Sequence, residues 1–487
     1  MRRLLLIAAT AALTGCTMIP KYNRPEPPVP ASFNGTAPTP TQTAPAPPAP
    51  TPPAPGKPAS EISWQEFFAD EHLRSVVELA LANNRDLRAT ALNVEKVQAL
   101  YRIQRSDLYP TVGVQVAGEK YRVPEKMHSD GKATYVEDYS VNVGVLSWEL
   151  DFFGRIRSLS QAALEQYLAT AEARRAAQSA LIAGVAQSYL ALAADQESLD
   201  LARATLSAYQ ESLALIQKTR DLGLTSDLDV SQAQSQVEAA RAVVAGLTGR
   251  IAVDRSSLDL LVGAPVPAGL LPARMSSVTA VAPLEPGLPS EVLLSRPDIL
   301  GAEHRLISAN ANIGAARAAF FPRITLTAGV GTMSPDLSGL FDSGTRTWSF
   351  TPQILSPIFA SGSLKANLRV SQLDRDIAVA VYEKAIQMAF AEVSNALALR
   401  GTLLEQHQAQ EALVSSLDET RRLADARYQA GLDGYLGVLV AERSLYAGQQ
   451  ALIGVRLAEQ ANLVTLYKVL GGGAGPDGRP LPDVPPL

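Results

Sequence analysis

Residues 147–161, SWELDFFGRIRSLSQ, change character at a single glycine, Gly154. Before the glycine stand four bulky apolar side chains, Trp148, Leu150, Phe152 and Phe153. After it the chain is polar and rich in alanine, with apolar residues at helical spacing, and it contains no proline until Pro265. Because interior proline is what most reliably stops a helix, the stretch predicts a strand that leads directly into a very long helix.

The same transition occurs a second time at residues 357–372, PIFASGSLKANLRVSQ, where Gly362 occupies the position equivalent to Gly154, 208 residues later. Other turn residues coincide at nearly the same offset: Tyr109 and Pro110 align with Phe321 and Pro322, Gly223 with Gly431, and Gly263 with Gly471. A fixed offset of this kind indicates an internal duplication. Each repeat is predicted to contain a helix, two strands, a long helix, a tight turn and a second long helix.

The duplication sets the predicted domain organisation. The parts are a first repeat at 61–263 with strands at about 111–123 and 135–150, an inter-repeat linker at 264–284, a second repeat at 285–471 with strands at about 323–333 and 345–355, and a flexible, glycine-rich tail at 472–487. Six residues of the first long helix follow the alternating three-and-four spacing of a coiled-coil seam, namely Leu199, Ala202, Leu206, Tyr209, Leu213 and Ile216. Such a helix needs neighbours along its length.

The N-terminus is predicted to be a targeting segment followed by a linker. Residues 1–15 combine two arginines, a short apolar core and small residues, as a signal peptide does. Cys16 is the only cysteine, so an intrachain disulfide is excluded. It is either an incidental thiol or, since LTGC resembles a bacterial lipobox, an acylated N-terminal cysteine, and we expect acylation. Residues 16–60 form the acylated cysteine and a proline-rich, extended linker.

Charge and histidine content exclude several functions. The formal net charge is −5, without a basic block, so nucleic acid is not an expected partner. The 4 histidines are scattered without metal-ligand spacing. No nucleophile motif or phosphate-binding glycine loop occurs. We therefore predict a protein that is not an enzyme and has no cofactor or metal.

The predicted strands have two different faces. Val112, Val114 and Val116 share one face of the first strand, and small or polar residues occupy the other. A soluble sandwich would show the same alternation, but strand lengths near the 9–11 residues that cross a bilayer, a lumen-like polar face and aromatic residues near one strand end favour a membrane barrel. The candidate membrane-interface aromatics are Tyr109, Trp148, Phe152, Phe153, Phe321 and Phe359.

Strand number then predicts assembly. One chain supplies four strands, which cannot close a barrel, and open sheet edges are not tolerated in lipid. Three chains supply twelve strands, an even number above the minimum of eight. We therefore expect an α+β membrane protein that forms a homotrimeric tube, with a twelve-stranded barrel that continues into a ring of long helices in the aqueous compartment.

At this point the sequence resembles a known family, the TolC-type outer-membrane efflux proteins, and within it the OprM/NodT-like lipoprotein branch. The resembling stretches run from Cys16 to Gly473 and include SWELDFFGRIRS, RPDILGAEHRLISANANIGAARAAFFPRITL and ARYQAGLDGYLGVLVAERSLY. The resemblance implies a trimer in the outer membrane of a Gram-negative bacterium, lipid-anchored and barrel-spanning, with a large periplasmic α-helical barrel. It also implies a tripartite efflux pump, whose partners are a periplasmic adaptor and an inner-membrane transporter of the proton-driven RND class.

The resemblance further implies a closed aperture at the tips of the helical hairpins. Asp229 matches a family aperture aspartate, and Tyr428 matches its tyrosine partner. Arg427 and Asp433 flank the second tip, and Asp227 the first. Another reading is that Asp227 and Asp229 only cap a helix, in which case Leu432 and Tyr435 are the apolar candidates for the latch. Where TolC itself has an acidic pair, this chain has Gly437 and Val440, so an acidic ring is not expected there.

Two other functions share some of these features. A periplasmic adaptor would contain one hairpin flanked by glycine-rich strands, without duplicated membrane strands. The duct of a type I protein-secretion system would have the same fold as an efflux duct and would differ only in its partners. The lipobox and the NodT-like motifs favour efflux of drugs or other small solutes.

Overall fold

The structure is a computed structural model, and it describes residues 17–33, 59–127, 132–275 and 290–473. Cys16, the predicted signal peptide, and parts of both linkers and of the tail lie outside these residues. The helices are α1 (Trp64–Phe67), α2 (Glu71–Asn83), α3 (Arg85–Ser106), α4 (Arg155–Asp221), α5 (Asp227–Val262), α6 (Pro297–Ala318), α7 (Ser363–Gln429) and α8 (Tyr435–Val469). The strands are β1 (Val112–Val123), β2 (Thr134–Glu149), β3 (Arg323–Ser334) and β4 (Arg346–Leu355).

The two repeats have the same element order, as the duplication predicts: α3, β1, β2, α4 and α5 in the first, and α6, β3, β4, α7 and α8 in the second. Helices α4 and α7 each have 67 residues. The chain divides into two compact units. Of the described residues, the first contains 17–26, 93–127, 132–171 and 301–383, and the second contains 27–33, 59–92, 172–275, 290–300 and 384–473.

Each strand-to-helix transition passes through a residue with positive φ. Gly154 has φ 75° and Gly362 has φ 82°, values that a residue with a Cβ rarely adopts. The backbone turns there, so the preceding strand ends and the helix begins. The first turn of α4 is also capped from the strand side, because Asp151 accepts hydrogen bonds from the backbone N–H of Ile156 (3.1 Å) and of Arg157 (2.9 Å).

In the first unit, the four strands form one antiparallel sheet in the order β1-β2-β3-β4. The N-terminal segment after residue 16 packs beside α6. The Asn310 side chain donates to the Pro20 carbonyl at 2.8 Å, and Arg24 binds Glu303 through two hydrogen bonds of 2.7 and 2.8 Å. These contacts fix residues 17–26 in this unit.

In the second unit, the long helices pack through apolar side chains. All six residues of the predicted seam are buried or partly buried, which confirms that prediction. Helices α4, α5 and α8 meet in a cluster that contains Tyr209, Leu213, Ile216, Ala233, Val237, Ala240, Tyr435, Val438 and Leu439. By length and composition, α4 could cross a membrane, but its most apolar window is 61% buried in this one chain, as in a core helix.

Candidate membrane face and hairpin tips

The strand register brings apolar residues of both repeats into continuous rows. Val114 pairs with Val143, Val143 with Val330, and Val330 with Trp348, so one row crosses all four strands. The next row contains Val112, Val145, Ala328 and Phe350. Most of this face is exposed, and Trp348 reaches 78%. An exposed apolar face that spans a whole sheet is what a lipid-facing surface requires.

The opposite face of the sheet has small and polar side chains. One row across it contains Gly113, Gly144, Gly329 and Ser349, and the next contains Gln115, Asn142, Gly331 and Thr347. Side chains of this kind suit contact with water and leave room for a channel. The sheet therefore has one face for lipid and one for an aqueous lumen.

The outer strands of the sheet are β1 and β4. Within the described residues, each pairs with one neighbouring strand only, β2 or β3. Their other edges carry backbone N–H and C=O groups without a strand partner. Such edges must be paired before the sheet can stand in a bilayer, because lipid offers no hydrogen bonds.

The predicted interface aromatics differ in their surroundings. Phe153 and Phe321 stack with ring centroids 4.8 Å apart, which joins the start of α4 to the end of α6. Trp148 lies within β2, just after an irregularity in its pairing with β3, and its indole N–H is enclosed without an acceptor among the described residues. Tyr109, Phe152 and Phe359 are exposed, Phe359 to 88%. Their assignment to a membrane interface stays a prediction.

A charged group that the sequence analysis missed lies at the same junction. Glu149 binds Arg155 through two hydrogen bonds of 2.8 and 2.7 Å and also pairs with Arg323 at 3.2 Å. The three residues tie the end of β2 to the start of α4 and of β3. The only sequence signal was the occurrence of opposite charges on both sides of Gly154, which does not identify partners.

The tip of the first hairpin, between α4 and α5, contains a reciprocal capping box. Asp229 N–H donates to Ser226 Oγ at 3.2 Å, and Ser226 N–H donates to Asp229 Oδ2 at 3.2 Å. Asp227 lies 3.6 Å from Arg220 Nη1 across the turn. Asp229 therefore caps α5 within one chain, whereas the contact described for Asp227 is an ion pair with Arg220.

The tip of the second hairpin, between α7 and α8, is closed by an ion pair. Arg427 Nε donates to Asp433 Oδ2 at 2.5 Å and Nη2 donates to Oδ1 at 3.2 Å. The hydrogen bond from Arg427 holds the pKa of Asp433 below its usual value. Tyr428 contacts the ring of Tyr435 edge-on at 5.5 Å. The described residues show no hydrogen bond between Asp229 and Tyr428, so a link between them within this chain is not formed.

Both tips also carry exposed leucines at equivalent positions of the two repeats. Leu224 and Leu432 are 76% and 67% exposed, and Leu228 and Leu436 are 65% and 56% exposed. Tyr435, the other apolar latch candidate, is buried in the helical cluster and is not available to a neighbouring chain. Leu432 remains available.

Together, the two-faced sheet with unpaired edges and the long helical hairpins define one chain of a channel that crosses a membrane. The family model for outer membrane efflux proteins matches residues 76–264 and 288–472. The chain belongs to this family, whose members are transport ducts and not enzymes, which confirms the family, the fold class, the efflux function and the prediction that it is not an enzyme.

Proteins of known name and structure are similar over nearly the full length. The chain is 47% identical over 474 residues to the toluene efflux pump outer membrane protein TtgC and to the antibiotic efflux pump outer membrane protein ArpC, both of Pseudomonas putida; each match covers 97% of this chain and 96% of the relative. The open state of the MtrE outer membrane channel of Neisseria gonorrhoeae is 37% identical, covers 96% of this chain and 100% of that chain, and has a TM-score of 0.84.

Proposed function

We propose that three copies of this chain form the outer-membrane exit duct of a tripartite efflux pump. The observation that carries the proposal is the sheet: its apolar rows run unbroken from β1 to β4, and its two edges have no partner within the described chain. Pairing of β1 of one copy with β4 of the next would satisfy both edges and close twelve strands into a barrel.

The other partners are proposed from the family of the chain and from the exposed tips of its helical hairpins. A periplasmic adaptor is proposed to bind the hairpins and to connect the duct to a proton-driven transporter of the inner membrane. Asp227, Asp229, Arg427, Tyr428 and Asp433 are proposed to hold the resting aperture, with contacts between neighbouring chains in addition to those described above. Cys16 is proposed to carry the lipid anchor, and the two repeats are proposed as 61–263 and 285–471.

The substrate class is proposed to be small apolar solutes and antibiotics. Relatives at 47% identity are named for toluene and antibiotic efflux. The duct itself contributes a water-facing surface of small and polar side chains, which selects little by chemistry, so selection would belong to the inner-membrane transporter.

Gene replacement tests the proposal. A Pseudomonas strain that lacks its own efflux duct but keeps the adaptor and transporter should regain toluene and antibiotic tolerance when this chain is expressed. The same chain with Val114→Lys on the lipid-facing row should not restore tolerance. Restored secretion of a protein substrate without restored tolerance would favour the secretion duct and contradict the proposal.

A further inference from the structure

The duplication makes one joint between strands and helices inside the chain and leaves the equivalent joint open. Strands β2 and β3 pair with each other, and the helix that follows β2, α4, contacts the helix that precedes β3, α6. In the same way α7 follows β4 and α3 precedes β1, but β4 and β1 are the outer strands of the sheet. Pairing of β4 of one copy with β1 of the next would therefore bring α7 beside the neighbouring α3, as α4 lies beside α6.

The joint inside the chain is polar. His304 Nδ1 of α6 lies 2.7 Å from Glu165 Oε2 of α4, and Ser308 Oγ donates to the Ala162 carbonyl at 2.8 Å. Glu165 is only 7% exposed, and its other carboxylate oxygen accepts from Gln161 Nε2 at 2.7 Å. A buried carboxylate is costly without such partners. The internal joint therefore requires a polar group opposite Glu165.

The equivalent positions of the open joint are apolar. At the offset of 208, Glu165 corresponds to Leu373 of α7, and at the offset of 212 that relates α3 to α6, His304 corresponds to Leu92. In the single chain Leu373 is 42% exposed and Leu92 is 55% exposed. Each belongs to a row of large, exposed apolar residues at helical spacing, which are Val370, Leu373, Ile377 and Val381 on α7 and Leu92, Leu100 and Ile103 on α3.

The internal joint indicates what covers these rows. The α4 residues equivalent to Val370, Leu373 and Ile377 are all buried inside the chain, namely Ala162, Glu165 and Ala169. Positions that are covered in the first repeat are thus exposed in the second. A row of exposed apolar side chains indicates a partner, and because α7 and α3 continue directly from the two free strand edges, that partner is a second copy of this chain.

We propose that Leu373 of one copy packs against Leu92 of the next, and that this apolar contact distinguishes the joint between copies from the polar joint inside each chain. Exchange of the helices would be unfavourable, because α3 placed against α4 would bury Glu165 opposite Leu92 without a polar partner. For the same reason α6 placed against α7 would separate His304 from its carboxylate. The inference rests on the proposed duct of three copies and adds which helix faces meet in it.

Thiol cross-linking of the full-length protein in membranes tests the contact. With a short bismaleimide, Leu92→Cys and Leu373→Cys in one chain should give covalently linked dimers and trimers, whereas either substitution alone should not. Leu92→Cys with Val381→Cys, about 12 Å further along α7, is the displaced control and should not link chains. His304→Cys with Glu165→Cys should react within one chain and leave it at the mass of a monomer.

Exchange of the two chemistries provides a second measurement that does not depend on cysteine. Leu373→Glu should lower the fraction of chains in trimers about tenfold, because the new carboxylate faces Leu92 of the neighbouring copy. Addition of Leu92→His recreates the internal pair between copies and should restore most of the trimer. Addition of Leu100→His instead, about 12 Å further along α3, should not restore it.

The outcomes separate this contact from the duct itself. Wild-type trimers in which Leu92→Cys and Leu373→Cys do not link, or equal restoration by Leu92→His and Leu100→His, would overturn the contact and leave the duct of three copies intact. Wild-type particles of fewer than three chains by native mass spectrometry would overturn the duct and the contact together.

Discussion

Val143 of the first repeat and Val330 of the second are direct cross-strand partners in the middle of the sheet. The duplicated halves therefore build one continuous surface, in which each repeat contributes two strands to the same apolar rows. This pairing leaves the free edges on β1 and β4, one from each repeat, so that the copies of a symmetric assembly could pair head to tail.

The two faces of β1 predict opposite responses to the same charge. Val114→Lys places an ammonium group on the lipid-facing row and should cost about 2–4 kcal/mol at the bilayer centre. Gln115→Lys, one residue further, places it on the water-facing side and should be tolerated. The amount of trimer extracted from the membranes per cell measures the effect of each substitution. Equal loss in the two variants would contradict the assignment of the faces.

Two substitutions of Asp229 distinguish a helix-capping role from a role of its charge in holding the aperture closed. Asp229→Ala removes one half of the capping box of α5, the hydrogen bond from Ser226 N–H, and should destabilise that helix start by about 1 kcal/mol, which hydrogen exchange of the tip measures. Asp229→Asn keeps a capping side chain but removes the charge. If the carboxylate holds the aperture, both variants should raise single-channel conductance in planar bilayers. A rise in Asp229→Ala alone would assign the residue to capping.

The ion pair of Arg427 with Asp433 predicts that the turn between α7 and α8 depends on the charge of these two side chains. Asp433→Asn should loosen the second tip and raise conductance, because the turn between α7 and α8 loses its charge-assisted closure. Arg422 pairs with Glu419 on the same helix, away from the turn, so Glu419→Gln is a matched control that should leave conductance unchanged. Since the pKa of Asp433 is lowered, the closure should be present at neutral pH and lost only in acid, as the pH falls through that lowered value. Conductance that stays unchanged in Asp433→Asn would remove the pair from the aperture.

The N-terminal segment should depend on Glu303. Its carboxylate is 8% exposed and accepts from Arg24 and, at 3.0 Å, from the Tyr22 hydroxyl. Arg24→Ala leaves this carboxylate without its cation and should cost about 1–3 kcal/mol. Peptides from residues 17–33 should then exchange faster, whereas Lys21→Ala on the exposed side of the segment should have no effect. Slow exchange in both variants would show that the backbone contacts suffice.

The bounds of the elements could be predicted because they depend on local patterns. The absence of proline predicted the extent of the long helices, and the alternation of apolar with small or polar residues predicted the strands. For β1 the prediction was about 111–123, and the strand runs over Val112–Val123. The ion pairs could not be predicted. Glu149 with Arg323, and Asp195 with Arg250, join elements distant in sequence, and which helix faces meet depends on packing that no single segment determines. The tip residues were named from a resemblance, which gave their positions but not their partners.

The account depends most on closure of the sheet by three chains. Native mass spectrometry of the detergent-extracted, channel-forming particle measures this directly. We expect three chains per particle, a single ion-conducting pore in planar bilayers, and loss of both in Val114→Lys. A particle of one or two chains that still conducts would contradict closure by three chains, since four or eight strands of this register would then have to form the pore.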